Sequence, residues 1–166
     1  MMNSVRNRNH RLRLLLFGVL LVLVMLLIFY MSSKNGTDSH EMSNVLSTSF
    51  FGRILTRILP MLTDNEITSL RKYAHIFEFF CLGMSSFLFF YELFWVRRHR
   101  LLRAALAASC WSFLYACTDE WHQTFVPERA GQVRDLGFDA AGFLPGVAVL
   151  CLAVWIFSRK KGGVSQ

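Results

Sequence analysis

From Leu14 to Tyr30 the chain runs for 17 residues without a charge. Wound into a helix at about 1.5 Å per residue, this run nearly crosses a hydrocarbon core of about 30 Å. Lipid offers no partner to a backbone N–H or C=O, so a run of this kind must satisfy its own backbone as a helix. Comparable apolar blocks return before Val96, from Leu101 to Ala116 and from Phe143 to Phe157. Hydrophobic residues make up 54% of the 166, with 16 phenylalanines among them, which is too apolar for an ordinary soluble domain. The expected fold is therefore all-α, an integral membrane bundle of four transmembrane helices.

Charge sets the expected topology. The net charge is +7, but the basic residues cluster beside the ends of the apolar blocks. That distribution suits topology signals and anionic lipid headgroups, not nucleic acid. Arg6, Arg8, Arg11 and Arg13 precede the first block, Arg97, Arg98, Arg100 and Arg103 join the second to the third, and Arg159, Lys160 and Lys161 close the chain. Nearly all the acids are expected on the other side of the membrane. Four spans with both termini cytoplasmic satisfy the positive-inside rule at every end. The first block resembles a signal sequence in its basic flank. Its length and the poor cleavage site at Met31-Ser32-Ser33 favour an uncleaved helix.

Four regions follow: a basic N-terminus and first span (1–31), an extracytoplasmic linker (32–62), a three-span domain (63–158) and a basic cytoplasmic tail (159–166). Ser32 to Asn44 reads as a loop. Apolar residues then recur with helical period from Val45 to Leu62, with Arg53 and Arg57 toward the other face. This piece is too short and too charged to span, and is expected to lie in the interface as an amphipathic helix that shields the bundle. Thr63 and Glu66 have the spacing of a capping box that starts the second span.

Polar residues inside that span are costly in lipid and point to a bundle interior or a water-filled cavity. Lys72, His75 and Glu78 recur every three residues and form one stripe on its outer half. Glu92, near the inner end, is expected only to pair with Arg97 or Arg100. The richest stretch is Cys117 to Gly142, between the third and fourth blocks. Asp119, Glu120 and Gln123 fit one patch at the outer end of the third span. Pro127 and Gly131 turn the chain, and Asp135 and Asp139 follow one helical turn apart. Gly142 and Gly146 continue that face as a packing surface, Pro145 is expected to bend it, and alanines from Ala104 to Ala108 allow close approach on the third span. Trp121 and Phe125 suit an interfacial aromatic belt. The four cysteines lack any CxxC or Cys/His spacing and read as small core residues.

The segments LRKYAHIFEFFCLG (Leu70–Gly83) and LYACTDEWHQTFVPERAGQVRDLGFDAAG (Leu114–Gly142), within this four-span layout, resemble the VanZ-like membrane protein family. That family takes its name from a protein associated with low-level teicoplanin resistance. The likeness is clear over Tyr73 to Leu150, and the first span and linker match in character only. Carried over motif by motif, it singles out Lys72, His75, Glu78, Asp119, Glu120, Gln123, Arg129, Asp135 and Asp139. The chain departs from the family pattern at Glu128, where the turn commonly has glycine, and at Pro145. The resemblance implies a protein of the bacterial cell membrane in contact with lipids, and leaves its reaction undefined.

Three readings of the cluster follow. In the first it is an enzyme site acting on an envelope lipid or cell-wall intermediate. His75 would serve as acid or base oriented by Glu78, Asp119 or Glu120 as a second base, and Lys72, Gln123, Arg129, Asp135 and Asp139 would contact substrate. A divalent cation held by His75, Asp119, Glu120, Asp135 and Asp139 is a variant of this reading, without any metal-specific spacing to support it. In the second the cluster binds a lipid headgroup or lipoglycopeptide without chemistry. In the third its charges only specify the bundle. No inverted repeat points to a transporter.

Overall fold

The structure is a computed structural model. It describes the backbone of residues 2–34, 66–96, 99–127, 131 and 133–162, and the side chains of those residues from 7–34, 73–96, 99–127, 131 and 133–159. The expected amphipathic helix, the Thr63–Glu66 capping box, and the side chains of Lys72 and Arg129 lie outside this set.

Four helices account for nearly all the described residues: α1 (Met2–Ser32), α2 (Glu66–Leu93), α3 (Arg100–Gln123) and α4 (Asp135–Gly162). Each is long and apolar enough to cross a membrane. Leu15, Leu23, Leu106, Phe113 and Leu152 are among the many large apolar side chains left exposed, as expected where lipid and not water surrounds the bundle. α1 and α3 run in one direction, α2 and α4 in the other, and α2 touches all three of its neighbours.

The closest approach is between α2 and α4, and glycine makes it possible. A Cβ added at Gly142 would lie 2.3 Å from the Ile76 carbonyl oxygen, and one at Gly146 would lie 2.3 Å from that of Phe80. On the facing helix, a Cβ at Gly83 would meet the Phe143 carbonyl oxygen at 2.3 Å. No side chain fits in these gaps, so the two backbones meet directly, as small residues four apart permit in membranes. α4 continues as a helix through Pro145, which is exposed on the side away from this seam.

α1 packs more loosely. Its inward positions, His10, Leu14, Phe17, Leu21, Val24, Ile28 and Met31, alternate steps of three and four, the repeat of a helix–helix seam. Leu21 and Ile28 are buried with Phe79, Leu82, Ala116 and Phe143. The Tyr115 hydroxyl donates to the Met25 carbonyl oxygen. On α3, Ala104 and Ala108 are buried against Phe87 and Val147, and the Ser112 hydroxyl reaches that of Ser86 at 3.4 Å. The cysteines differ from expectation: Cys110 is exposed, and Cys81, Cys117 and Cys151 are half-buried. All four are free, and the helix surfaces they occupy face outward more than the sequence pattern suggested.

Two polar clusters mark the two ends. One surrounds Glu92, whose carboxylate accepts from Arg13 Nε at 2.7 Å and Arg100 Nη2 at 2.7 Å and lies 3.3 Å from His10 Nδ1. The expected pairing with Arg100 is present, Arg97 lies outside the described residues, and the contacts from α1 are additional. Arg100 also lies over the Tyr91 ring, and His10 stacks on Trp95. The other cluster surrounds His75. Along α1, from His10 to Ser32, the two clusters are separated by about 33 Å at the ordinary helical rise, close to one hydrocarbon thickness.

Candidate functional site

The second cluster draws on all four helices. α2 supplies His75 and Glu78 one turn apart, so the two side chains share a face, with His75 Nδ1 3.4 Å from Glu78 Oε2. The other ring nitrogen points into the bundle, where His75 Nε2 is 3.3 Å from Asp119 Oδ2 on α3 and 3.4 Å from Asp139 Oδ1 on α4. Asp119 and Asp139 have side chains 1% and 0% exposed. A buried carboxylate is expensive unless it is paired and hydrogen-bonded.

Asp119 is held in place by its neighbours. The Ser32 hydroxyl donates to its Oδ2 at 2.9 Å, and Gln123 Nε2 donates to the same oxygen at 2.9 Å. Gln123 also reaches Ser32 Oγ at 3.3 Å. Asp119 Oδ1, both oxygens of Asp139, and His75 Nε2 are buried without a hydrogen-bond partner among the described residues. Among those residues, Glu78, Asp119 and Asp139 form ion pairs with His75 alone. Glu120 is buried beside them, and one ligand atom each from His75, Glu120 and Asp139 fall within 4.8 Å of one another.

The expected site residues therefore separate into groups. His75, Glu78, Asp119, Glu120, Gln123 and Asp139 come together. Asp135 is half-buried in the first turn of α4, one turn above Asp139. Lys72 and Arg129 are not among the described side chains. Trp121 and Phe125 are each 68% exposed and pack edge to face on one another, as suits the interfacial belt.

Ser32 was not foreseen. The polar residues from Ser32 onward read as a loop, whereas α1 continues through Ser32 and buries it to 1% exposure against Asp119. The cluster accordingly has four walls where the sequence pattern indicated three. His122 strengthens this contact by stacking on Phe29 and approaching Ser33 Oγ at 3.1 Å. The only sequence signal for Ser32 was its place, in register with the inward seam, at the end of the apolar run.

The turn after α3 returns to the site. Thr124, Phe125 and Val126 close it with backbone bonds to Trp121, His122 and Gln123. Gly131 then passes so close to α3 that a Cβ there would lie 2.2 Å from the Glu120 carbonyl oxygen. Glycine at this position lets the backbone of residue 131 pass directly against the helix end that carries Glu120.

These features define a multi-pass helical membrane protein with an acid-rich cluster at one end of the bundle. A family model described as VanZ/LLP1 matches residues 17–156, and the chain belongs to that family. The match takes in the C-terminal half of α1, so the first span is part of the family's unit and not merely similar in character. No curated protein and no solved structure matches the chain.

Proposed function

We propose that this chain resides in the bacterial plasma membrane with both termini cytoplasmic, and that its polar pocket, on the extracytoplasmic face, acts on an envelope lipid or a lipid-linked cell-wall intermediate. The observation that carries the reading is the buried set of His75 Nε2, Asp119 Oδ1 and both Asp139 carboxylate oxygens, which have no hydrogen-bond partner among the described residues. A cluster that served only to pack helices would have these atoms hydrogen-bonded. Ionisable groups inside a membrane bundle are a functional signature by default. The orientation is supported by charge, because Arg8, Arg11, Arg13, Arg100, Arg103 and Arg159 all lie toward the opposite end.

In this reading Glu78 orients the His75 ring, and the imidazole accepts a proton from an attacking hydroxyl and returns it to the leaving oxygen. Asp119 or Glu120 provides the second acid–base group. Gln123 and Ser32 hold Asp119 in position through their hydrogen bonds. Lys72 and Arg129 are assigned to a phosphate or carboxylate on the substrate, with Asp135 and Asp139 beside it. Depth favours a headgroup as the reacting part, since the cluster sits about one hydrocarbon thickness from the basic end. Glycopeptide resistance of the teicoplanin type follows if the altered lipid or intermediate is one the drug depends on.

The test compares lipid extracts of cells producing the chain with extracts of cells producing His75→Ala or Glu120→Gln. We expect a lipid species present only with the unaltered chain, while all three proteins accumulate equally in the membrane. No altered species, together with retained teicoplanin protection that both substitutions abolish, would assign the pocket to binding instead of chemistry. Loss of membrane accumulation in both variants would assign these residues to packing.

A further inference from the structure

We infer that the pocket is a binding site for one divalent transition cation of the Zn²⁺ or Mn²⁺ kind, with His75, Glu120 and Asp139 as its protein ligands. Geometry is the first ground. His75 Nε2 lies 3.4 Å from Asp139 Oδ1, yet the two make no hydrogen bond. Two ligands on one tetrahedral ion, each at about 2.1 Å, are themselves about 3.4 Å apart. The pair is thus spaced as ligands that share an ion. The third member, Glu120, keeps all three atoms within 4.8 Å, so the widest gap needs to close by at most about 1.4 Å.

Burial is the second ground. Asp139 is fully buried, neither of its oxygens has a hydrogen-bond partner among the described residues, and one of them is directed at His75. Cation attraction is the most direct compensation for a carboxylate in this position.

The surrounding contacts are the third. A metal-bound imidazole ordinarily gives its other ring nitrogen to a carboxylate, which fixes the ring and raises its basicity. His75 Nδ1 faces Glu78 Oε2 in that role. Asp119 is held through Oδ2 by Ser32 and Gln123, which leaves Oδ1 without a hydrogen-bond partner among the described residues and able to bind a water or accept a proton. One imidazole with carboxylate oxygens, and no thiolate in the set, selects against soft ions. The nitrogen ligand also disfavours Ca²⁺ and Mg²⁺, which prefer all-oxygen shells. Three protein ligands leave a position open for a headgroup phosphate or carboxylate.

This inference does not rest on the enzymatic reading. It also changes one assignment within it, since with the ion bound His75 is a ligand and the proton-handling group becomes Asp119.

The test uses the full chain purified in detergent, stripped with EDTA, incubated with Zn²⁺ or Mn²⁺ and desalted before elemental analysis. One ion per chain is expected, together with a higher melting temperature for the loaded chain. Glu120→Gln and Asp139→Asn should each weaken retention at least tenfold and abolish the thermal shift. Glu92→Gln, at the other end of the bundle, should leave retention unchanged. A folded wild-type chain that retains neither ion and shows no thermal shift overturns the inference. Retention by Asp139→Asn and Glu120→Gln equal to wild type overturns it as well. A loaded chain that yields no altered lipid refutes the enzymatic proposal and leaves the metal site intact. Lipid chemistry unaffected by thorough stripping of a chain that binds no ion does the opposite.

Discussion

The two ends of this bundle solve the same electrostatic problem in opposite ways. At one end a single buried carboxylate, Glu92, is met by two guanidinium groups and an imidazole, with bonds of 2.7 Å to each arginine. At the other, Glu78, Asp119 and Asp139 converge on one imidazole and meet no other ion-pair partner among the described residues. Glu92 looks like a fastener: it joins α1, α2 and α3 and has its charge neutralised. In the proposed reading the His75 cluster is a receptor, since among the described residues a single imidazole faces its three carboxylates. Unmatched polar burial is where stability is exchanged for function.

The comparison can be tested by substitution, and the largest effect should come from the seam that both ends share. Gly142→Val places side-chain carbon against the Ile76 carbonyl oxygen, a main-chain atom that cannot move aside. We expect a loss of about 3 kcal/mol or more, read as collapse of the monodisperse peak on size-exclusion chromatography in detergent. Gly137, which has nothing within 4 Å of an added Cβ, should accept alanine without such loss.

Next in size is a pair of charge removals with opposite signs. Glu92→Ala leaves Arg13 and Arg100 without their common partner. With those arginines partly exposed, the cost should fall to about 2 kcal/mol, below that of a fully buried pair. Asp139→Asn, in EDTA, should raise the melting temperature by the equivalent of about 1 kcal/mol, because it removes one of three carboxylates that share a single imidazole. Both are read from thermal unfolding of the detergent-solubilised chain. A fall in stability for Asp139→Asn equal to that for Glu92→Ala would erase the distinction between the two ends.

The smallest effect should be that of Ser32→Ala. It removes one donor to Asp119 and should cost about 1 kcal/mol while reducing cation retention only in part.

Much of this was legible in the sequence because lipid makes polar residues conspicuous. His75, Glu78, Asp119, Glu120, Gln123 and Asp139 stand out as charges or amides at the edges of apolar blocks, and helical spacing alone puts each on a shared face. Ser32 did not stand out, because a serine at the end of an apolar run is also how a linker begins. The partners of Glu92 were hidden for another reason. Arg13 lies 79 residues away along the chain, and its flank of arginines reads first as a topology signal. Gly83, Gly142 and Gly146 were recognisable as small residues on the correct faces. Which carbonyl each one meets is a property of how two helices cross, and periodicity within one helix carries no information about that.

The glycine seam also bears on how tightly the pocket is defined. Side chains that repel one another ordinarily gain relief by letting their helices drift apart by a fraction of an ångström. Here α2 and α4 meet main chain to main chain within two turns of His75 and Asp139, and no flexible side chain lies between them to yield. The separation of the two backbones that carry imidazole and carboxylate is thereby fixed. The cost of bringing these helices together is met once, when the chain folds.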